Sequence, residues 1–193
     1  MEMVLIGNGG HSKEILSVMG LNLKRFVQDS DYNQEENVYK LSEFDETRFE
    51  VMIAVGDSVL RKKILQDLPK KTKFFTYIHP TSLLFDNNIE IGEGSFIGPN
   101  CILTTNIKIG NHSLLLRNVN IGHDCLIGDY FSSMPNTVIS GNVNIGECVY
   151  FGNNSSVKEK VKISNNVKIG MNGCVVKDIN DSGIYIGVPV KKK

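Results

Sequence analysis

Residues 91–128 read IGEGSFIGPNCILTTNIKIGNHSLLLRNVNIGHDCLIG, and an aliphatic residue returns at every sixth position. The period continues without a shift to Val175, and glycine often follows the aliphatic residue. A short fixed period is typical of a parallel β-helix, in which each repeat buries its apolar residue against its neighbours. The aliphatic positions are Ile91, Ile97, Leu103, Ile109, Leu115, Ile121, Ile127, Ile139, Ile145, Val157, Ile163, Ile169 and Val175, with Ser133 and Phe151 at the two other places.

Composition and charge narrow the range of functions. Of the 193 residues, 21 are Lys or Arg and 21 are Asp or Glu, so the formal net charge is zero. This balance does not favour nucleic-acid binding through bulk electrostatics. The N-terminus does not read as a signal peptide, and no stretch approaches the roughly 20 apolar residues of a membrane helix. The four cysteines include no close-spaced metal pair. We therefore expect a cytoplasmic protein that does not insert into a membrane.

The first third of the chain has a different pattern. Alternating strands and helices there predict a small parallel α/β sheet of Rossmann-like type. The chain thus divides into an α/β domain at 1–78 and a β-helix domain at 79–193. The predicted strands are Met3–Ile6, Lys24–Gln28, Val51–Val55 and Phe74–Ile78, and the predicted helices are Lys13–Met19 and Val59–Leu68, the latter with Ser58 as N-cap.

A glycine turn, Gly7-Asn8-Gly9-Gly10-His11-Ser12, follows the first strand. Its glycines allow phosphates to approach the amides at the start of the next helix. Ser12 breaks the dinucleotide motif, and about 80 residues is short for a full NAD fold. A nucleotide or nucleotide sugar therefore fits better than NAD. Asp29 is the candidate ribose ligand and Asp31 the alternative, although both acids could simply solvate a loop.

The two halves together resemble the sialic-acid O-acetyltransferase and PglD-like family of hexapeptide-repeat sugar acetyltransferases. The resemblance implies that the β-helix is left-handed, with three hexads to a coil, so that 91–180 forms five coils. It also implies a homotrimer with active sites between subunits, for which we expect Leu114, Leu116, Phe131 and Tyr150 to supply an apolar flank. The motifs that carry the resemblance are Gly7–His11, Ile53–Asp57 with Arg61-Lys62-Lys63, Ile78-His79-Pro80, Ile121–Cys125 and Gly187–Lys191.

His123 and Asp124 form the candidate catalytic pair. A histidine with a free ring nitrogen can act as a general base at neutral pH, and an adjacent carboxylate can orient its imidazole. The matching family position carries the catalytic histidine, followed by Asp or Glu. From the repeat alone, the simpler interpretation of His123 is a surface histidine that happens to lie in a hexad.

By resemblance, the reaction is transfer of the acetyl group of acetyl-CoA to the amino group of a nucleotide-activated amino sugar, with neither metal nor NAD. The resemblance implies that the Gly152 N–H stabilises the oxyanion and that the pantetheine arm extends towards Gly170, Gly187 and Pro189. Ser132 stands where many relatives carry a second histidine, which leaves the acceptor open. The candidate substrate-binding residues are Gly7, Gly9, Gly10, His11, Asp29, Gly56 and Ser132.

Three other functions are weighed against this one. An O-acetyltransferase acting on sialic acid would differ only in the acceptor. A metal-dependent hydratase of the γ-carbonic-anhydrase type would need three histidines from neighbouring coils, but the spacings of His79, His112 and His123 do not match an eighteen-residue coil. A non-catalytic scaffold is the third alternative, and a dispensable His123 would favour it.

Overall fold

The first part of the chain forms a five-stranded parallel sheet. The computed structural model describes residues 1–193. The strand order is β3-β2-β1-β4-β5, and all neighbouring strands are parallel. The predicted α/β class is therefore confirmed for this region. The elements are β1 (Glu2–Ile6), α1 (Gly10–Met19), β2 (Lys24–Val27), β3 (Val38–Lys40), β4 (Phe49–Ile53), α2 (Ser58–Asp67) and β5 (Lys73–Phe74), with short 3-10 turns at Asp29–Asp31 and Leu41–Glu43.

The central strands β1 and β4 are covered on both sides. Val4 and Leu5 are both fully buried, although successive side chains of a strand point to opposite faces. Val4 packs in a cluster with Ile64 of α2, whereas Leu5 packs with Ile15 of α1. Burial on both faces explains why these strands are continuous apolar runs rather than alternating patterns.

Two local details differ from the sequence-based expectation. The N-cap of α2 is Asp57, whose Oδ1 accepts a hydrogen bond from the Leu60 amide at 2.9 Å, and not Ser58. Ser58 is instead the first helical residue and is completely buried. Strand β3 was not anticipated, because its three residues, Val38–Lys40, are too few to show a period.

From Tyr77 onward the chain winds into a parallel β-helix with three faces, taken in chain order as faces one, two and three. Face one contains Tyr77–Ile78, Phe96–Ile97, Leu114–Leu115, Ser132–Ser133, Tyr150–Phe151, Val167–Ile169 and Gly183–Gly187, with Val190–Lys192 antiparallel at its end. Face two contains Leu83–Leu84, Ile102–Leu103, Asn120–Ile121, Val138–Ile139, Ser156–Val157 and Cys174–Val175. Face three contains Ile89–Ile91, Ile107–Ile109, Leu126–Ile127, Asn144–Ile145 and Lys162–Ile163.

The β-helix starts one coil earlier than the six-residue period suggests. The strand predicted over Phe74–Ile78 is two strands, because Lys73–Phe74 pairs with β4 whereas Tyr77–Ile78 pairs with Phe96–Ile97. Leu84 pairs with Leu103, nineteen residues later, whereas Ile91 pairs with Ile109, eighteen residues later. One extra residue between Leu84 and Ile91 therefore hides the first coil. The division at residue 78 stays a prediction.

From Gly94 to Asn172, each turn between faces contains one residue with a positive φ. These residues recur every sixth position, at φ values such as 57° for Asn100 and 59° for Asn118. Asparagine is common here because its short polar side chain tolerates the left-handed conformation. We call the turns between faces one and two the first edge, those between two and three the second edge, and those between three and one the third edge.

The interior of the β-helix is a continuous column of apolar side chains. Anchor residues such as Ile97, Leu115 and Ile169 are fully buried, together with the small residues Cys101 and Val119 four places after an anchor. Each side chain packs against the equivalent residue of the next coil. This packing is the physical reason for the unbroken period.

The α/β domain rests on face one. Leu114 and Leu116 are buried in one cluster with Leu5 and Met52 of the sheet, and Phe131 lies in the β-helix core. Tyr150 is partly buried beside the same domain. These four residues therefore do not form an exposed apolar flank. Their hydrophobicity serves packing within one chain.

Neither helix, α1 nor α2, combines the length and the apolar character that crossing a membrane would require.

Candidate active site

The second edge presents His123 and Asp124 to solvent. The side chain of His123 is 55% exposed, and its Nδ1 lies 2.7 Å from Asp124 Oδ2. The pKa of Asp124 is lowered, first by the Asn106 side-chain amide and then by His123, so this group is a carboxylate at neutral pH. A carboxylate can only accept a hydrogen bond, so Nδ1 carries the proton. Nε2 makes no hydrogen bond within the chain and is free to take up a proton.

Gly141 lies directly against the imidazole. It follows His123 by eighteen residues, which is one coil, and a Cβ built on it would be 2.5 Å from His123 Nε2. Only glycine leaves room for the ring. The Gly141 N–H makes no hydrogen bond within the chain. Sequence reasoning missed Gly141, although the coil period could have identified it.

The largest cavity of the α/β domain lies at the carboxyl ends of β1, β2 and β4. Its volume is about 580 Å³, and Gly7, Gly9, Asp31 and Lys63 contribute to its wall. The sheet order reverses at β1, because β2 lies on one side and β4 on the other. Such a switch point is the usual ligand-binding crevice of open α/β sheets. Gly7 has φ 114°, and a Cβ there would lie 3.1 Å from the Ala54 carbonyl oxygen.

Asp29 and Gly10 do not line this cavity. The Asp29 carboxylate accepts a hydrogen bond from the Ser42 backbone amide at 3.1 Å, and this bond joins two turns. Asp31, the alternative, does line the cavity. The structure therefore argues for Asp31 over Asp29 as the ribose ligand.

Asn8 was not singled out in the sequence, but it shapes the glycine turn. Its Oδ1 accepts a hydrogen bond from Arg25 at 2.7 Å, and its Nδ2 donates to Glu35 at 2.9 Å. The hydrogen bond from Asn8 is the main reason that the pKa of Glu35 is lowered. Asn8 and Glu35 both belong to the cavity wall, so this network holds its polar side in place.

A second cavity of about 390 Å³ lies between the α/β domain and face one. His11, Gly56 and Asp57 line it from one side, and Tyr150 and Lys168 from the other. Lys168 Nζ and Asp57 Oδ2 form an ion pair of 2.8 Å across it. Burial and the nearby Arg61 charge lower the pKa of His11 to about 4, so its imidazole is neutral at pH 7. Its Nε2 is buried without a partner.

Ser132 does not reach either cavity. It is fully buried, and its hydroxyl donates to the Gly56 carbonyl oxygen at 2.9 Å and accepts hydrogen bonds from Arg61 and Ser58. These three bonds join the α/β domain to face one. The structure therefore argues against Ser132 as a substrate ligand.

The residues predicted to hold acetyl-CoA lie on the first edge and at the C-terminal end. Gly152 and Gly170 follow face-one strands, and Gly187 and Pro189 flank the turn before the last strand. The Gly152 N–H donates to the Ile169 carbonyl oxygen at 2.8 Å. That bond belongs to the β-helix ladder, so the amide is not free to bind an oxyanion as predicted.

Comparison with known proteins shows which family the first domain resembles and which solved structures share the whole fold. Residues 2–68 match the family described as "PglD N-terminal domain". The first domain is therefore similar to PglD N-terminal domains. Over the whole chain, the fold superposes with a TM-score of 0.88 on PerB from Caulobacter crescentus in complex with CoA and GDP-perosamine, at 26% identity, covering 100% of this chain and 97% of that one. WeeI from Acinetobacter baumannii AYE gives the same TM-score at 25% identity and full coverage of both chains.

Among curated proteins, GDP-perosamine N-acetyltransferase from Escherichia coli O157:H7 is 30% identical over 84 residues. That match covers 43% of this chain and 38% of the relative. The bifunctional protein GlmU of Streptococcus agalactiae serotype III is 36% identical over 80 residues, 17% of its length. The resemblance to PglD-like sugar acetyltransferases and the left-handed β-helix fold are thus confirmed.

A single chain does not bring the α/β domain and His123 together. The domain packs on face one, whereas His123 lies on the second edge, between faces two and three. In a three-sided prism that edge is opposite face one. The cavity at the switch point of the sheet and the candidate base are therefore on opposite sides of a single chain.

Proposed function

We propose that this protein is an acetyl-CoA-dependent N-acetyltransferase that acts on the amino group of a nucleotide-linked amino sugar. The observation that carries the proposal is the second edge, where Asp124 orients His123 and leaves Nε2 free. The likeness along the full chain to PerB, solved with CoA and GDP-perosamine, supports the same reaction class. The cavity at the switch point of the sheet fits the nucleotide part of such a substrate.

In the proposed reaction a neutral sugar amine attacks the thioester carbonyl carbon of acetyl-CoA. His123 Nε2 takes a proton from the amine as the carbon–nitrogen bond forms. When the tetrahedral intermediate collapses, the carbon–sulfur bond breaks and the imidazolium returns the proton to the thiolate of CoA. Asp124 stabilises the imidazolium and keeps the ring oriented throughout.

For the oxyanion we propose the Gly141 N–H in place of that of Gly152. Gly141 adjoins His123 Nε2 and its amide is unpaired, whereas the Gly152 amide already donates within the ladder. An N–H donor aimed at the developing negative charge contributes about 3–4 kcal/mol in comparable acyl-transfer sites.

For the nucleotide sugar we propose a position across the switch point. The nucleotide would occupy the cavity beside Gly7, Gly9 and Asp31, and the sugar would extend past Gly56 towards His11 and face one. Gly56 lies next to Val55, which lines the first cavity, so the two cavities share one loop.

We further propose that the active unit is a homotrimer with sites between subunits. The separation of His123 from the nucleotide cavity in one chain supports this, because a neighbouring chain can supply the missing half. Face two offers the contact surface, since its outward-facing residues carry no charge, unlike Glu90, Lys108 and Lys162 on face three. The outward residues of face two are Leu83, Ile102, Asn120, Val138, Ser156 and Cys174.

The test incubates the protein with acetyl-CoA and a panel of UDP-, dTDP- and GDP-amino sugars, with free sialic acid as the hydroxyl acceptor, and follows thiol release. We expect activity with an amino sugar and a fall of kcat by about 10²–10⁴ in His123→Ala. A matched His79→Ala variant removes a histidine outside the second edge. Acetylation of sialic acid alone, or an active His123→Ala protein, would contradict the proposal.

Mixing two variants with different defects tests the shared site. A His123→Ala chain, which lacks the base, and a Gly9→Val chain, which binds the nucleotide sugar more weakly, are unfolded together and refolded, and activity is assayed at a nucleotide-sugar concentration far below the dissociation constant of Gly9→Val. Hybrid trimers should regain activity, and light scattering should give three times the 21.5 kDa chain mass. An active monomer would rule out the shared site.

A further inference from the structure

Asn106 lies on the second edge one coil before Asp124. Its Nδ2 donates to Asp124 Oδ1 at 2.5 Å, while Asp124 Oδ2 accepts from His123 Nδ1 at 2.7 Å. Both residues have left-handed backbones, φ 52° and φ 59°, at equivalent turns of successive coils. The three side chains therefore form a line, Asn106 to Asp124 to His123, that ends at the free Nε2.

Asp124 has few restraints apart from Asn106. Its side chain is 45% exposed, and exposed ion pairs hold their geometry weakly because water competes for both partners. Within the chain, Asp124 accepts side-chain hydrogen bonds from Asn106 and His123 only. Asn142 Nδ2 stands 3.5 Å from His123 Nδ1, too far to replace a strong bond. Without Asn106, the carboxylate would be free to rotate away from the imidazole.

We propose that Asn106 is a positioning residue for acetyl transfer, which holds the Asp124 carboxylate so that His123 keeps its proton on Nδ1 and presents an unprotonated Nε2. The proposal rests on the proposed function, in which Nε2 is the base. An imidazole with a rotating partner would share its proton between the two nitrogens. Only the form protonated on Nδ1 can accept a proton at Nε2.

The alternative to a positioning role is that Asn106 only stabilises its turn of the β-helix. Asparagine is the usual residue at these turns, and Asn118 on the first edge also donates to the equivalent residue of the next coil, Asn136 Oδ1, at 3.1 Å. Asn118 therefore serves as the matched control, since it has the same backbone and the same type of bond but lies away from His123.

The experiment compares Asn106→Gly with Asn118→Gly. Glycine adopts positive φ without strain, so each variant loses the side-chain amide and keeps its turn. We expect Asn106→Gly to lower kcat by about tenfold, as is common when the partner of an active-site ligand is lost. The KM values for both substrates should stay within twofold, and Asn118→Gly should match the wild type.

The second readout is ¹⁵N NMR of histidine-labelled protein at a pH where His123 is neutral. The wild type should show Nδ1 protonated, and Asn106→Gly should show a mixture of the two forms. An unchanged tautomer in Asn106→Gly, with or without a loss of kcat, would overturn the proposal. This readout needs no turnover, so it judges Asn106 even if the wild type acetylates none of the sugars, a result that would refute only the proposed function.

Discussion

Replacing Arg61 by lysine tests how the α/β domain is held on the β-helix. Arg61 is fully buried in α2, and its guanidinium donates to His112 O at 2.8 Å, Tyr130 O at 2.8 Å and Ser132 Oγ at 2.9 Å. It also donates to the carbonyl oxygens of Val55 and Phe131. One side chain thus bonds both to the β-helix and to the loop between the two cavities.

The expected magnitude follows from the number of donors. Phe131 O and Ser132 Oγ keep other donors, the Leu114 amide and the Ser58 hydroxyl, whereas His112 O, Val55 O and Tyr130 O are bonded by Arg61 alone, each from a different guanidinium nitrogen. Lysine keeps the positive charge but has one nitrogen and no planar fork, so we expect two of these three acceptors to lose their partner. A buried acceptor without a partner costs about 1–3 kcal/mol. We therefore expect Arg61→Lys to lower the free energy of unfolding by about 2–6 kcal/mol.

Urea denaturation at a fixed protein concentration measures this loss, because the concentration sets the contribution of any oligomer. The matched control is Arg117→Lys. Arg117 also joins the two parts of the chain, through Glu14 at 2.7 Å, but its side chain is 53% exposed. The control should change stability by less than about 0.5 kcal/mol. Equal, small effects of the two substitutions would refute the reasoning.

Three further predictions concern the cavities and the second edge. Gly141→Ala should lower kcat by about tenfold or more with little effect on CoA affinity, because the new Cβ would lie 2.5 Å from His123 Nε2 and displace the imidazole. A wild-type kcat for this variant in steady-state kinetics would contradict the prediction. Gly9→Val should weaken nucleotide-sugar binding by about tenfold in calorimetry and leave stability unchanged, since Gly9 lines the cavity and a Cβ there would meet no protein atom within 4 Å. Burial and the Arg61 charge lower the pKa of His11 and of His112 from 6.5 to about 4 in the folded state. Between pH 6.5 and pH 4 the unfolded chain therefore binds more protons than the folded chain, so the free energy of unfolding should fall as the pH drops through this range. Equal free energies of unfolding at pH 7 and pH 5 would be the contrary result.

The six-residue period by itself determined the β-helix, because every anchor from Ile91 to Val175 must fill the same interior column. The alternation of strands and helices in the first third likewise predicted a small parallel sheet. The coil before Ile91 was not predicted, because one extra residue between Leu84 and Ile91 breaks the six-residue period. The sequence shows that His123 and Asp124 are adjacent, but only the structure shows the hydrogen bond between their side chains.

Contacts between coils and between domains were decided only by the tertiary structure. Gly141 and Asn106 lie beside His123 and Asp124 because eighteen residues make one coil. The family resemblance implied Gly152 instead, but its amide already donates within the ladder. Ser132 was predicted to bind substrate and Arg61 was only part of a motif, yet the packing of the α/β domain on face one buries both. The sequence also could not show which face of the β-helix the α/β domain covers. Because the domain covers face one, His123 lies on the edge opposite to it. A local sequence pattern reflects the interactions of a residue with its neighbours along the chain. The surroundings of Ser132, Arg61 and His123 depend instead on surfaces that meet only after both domains have folded.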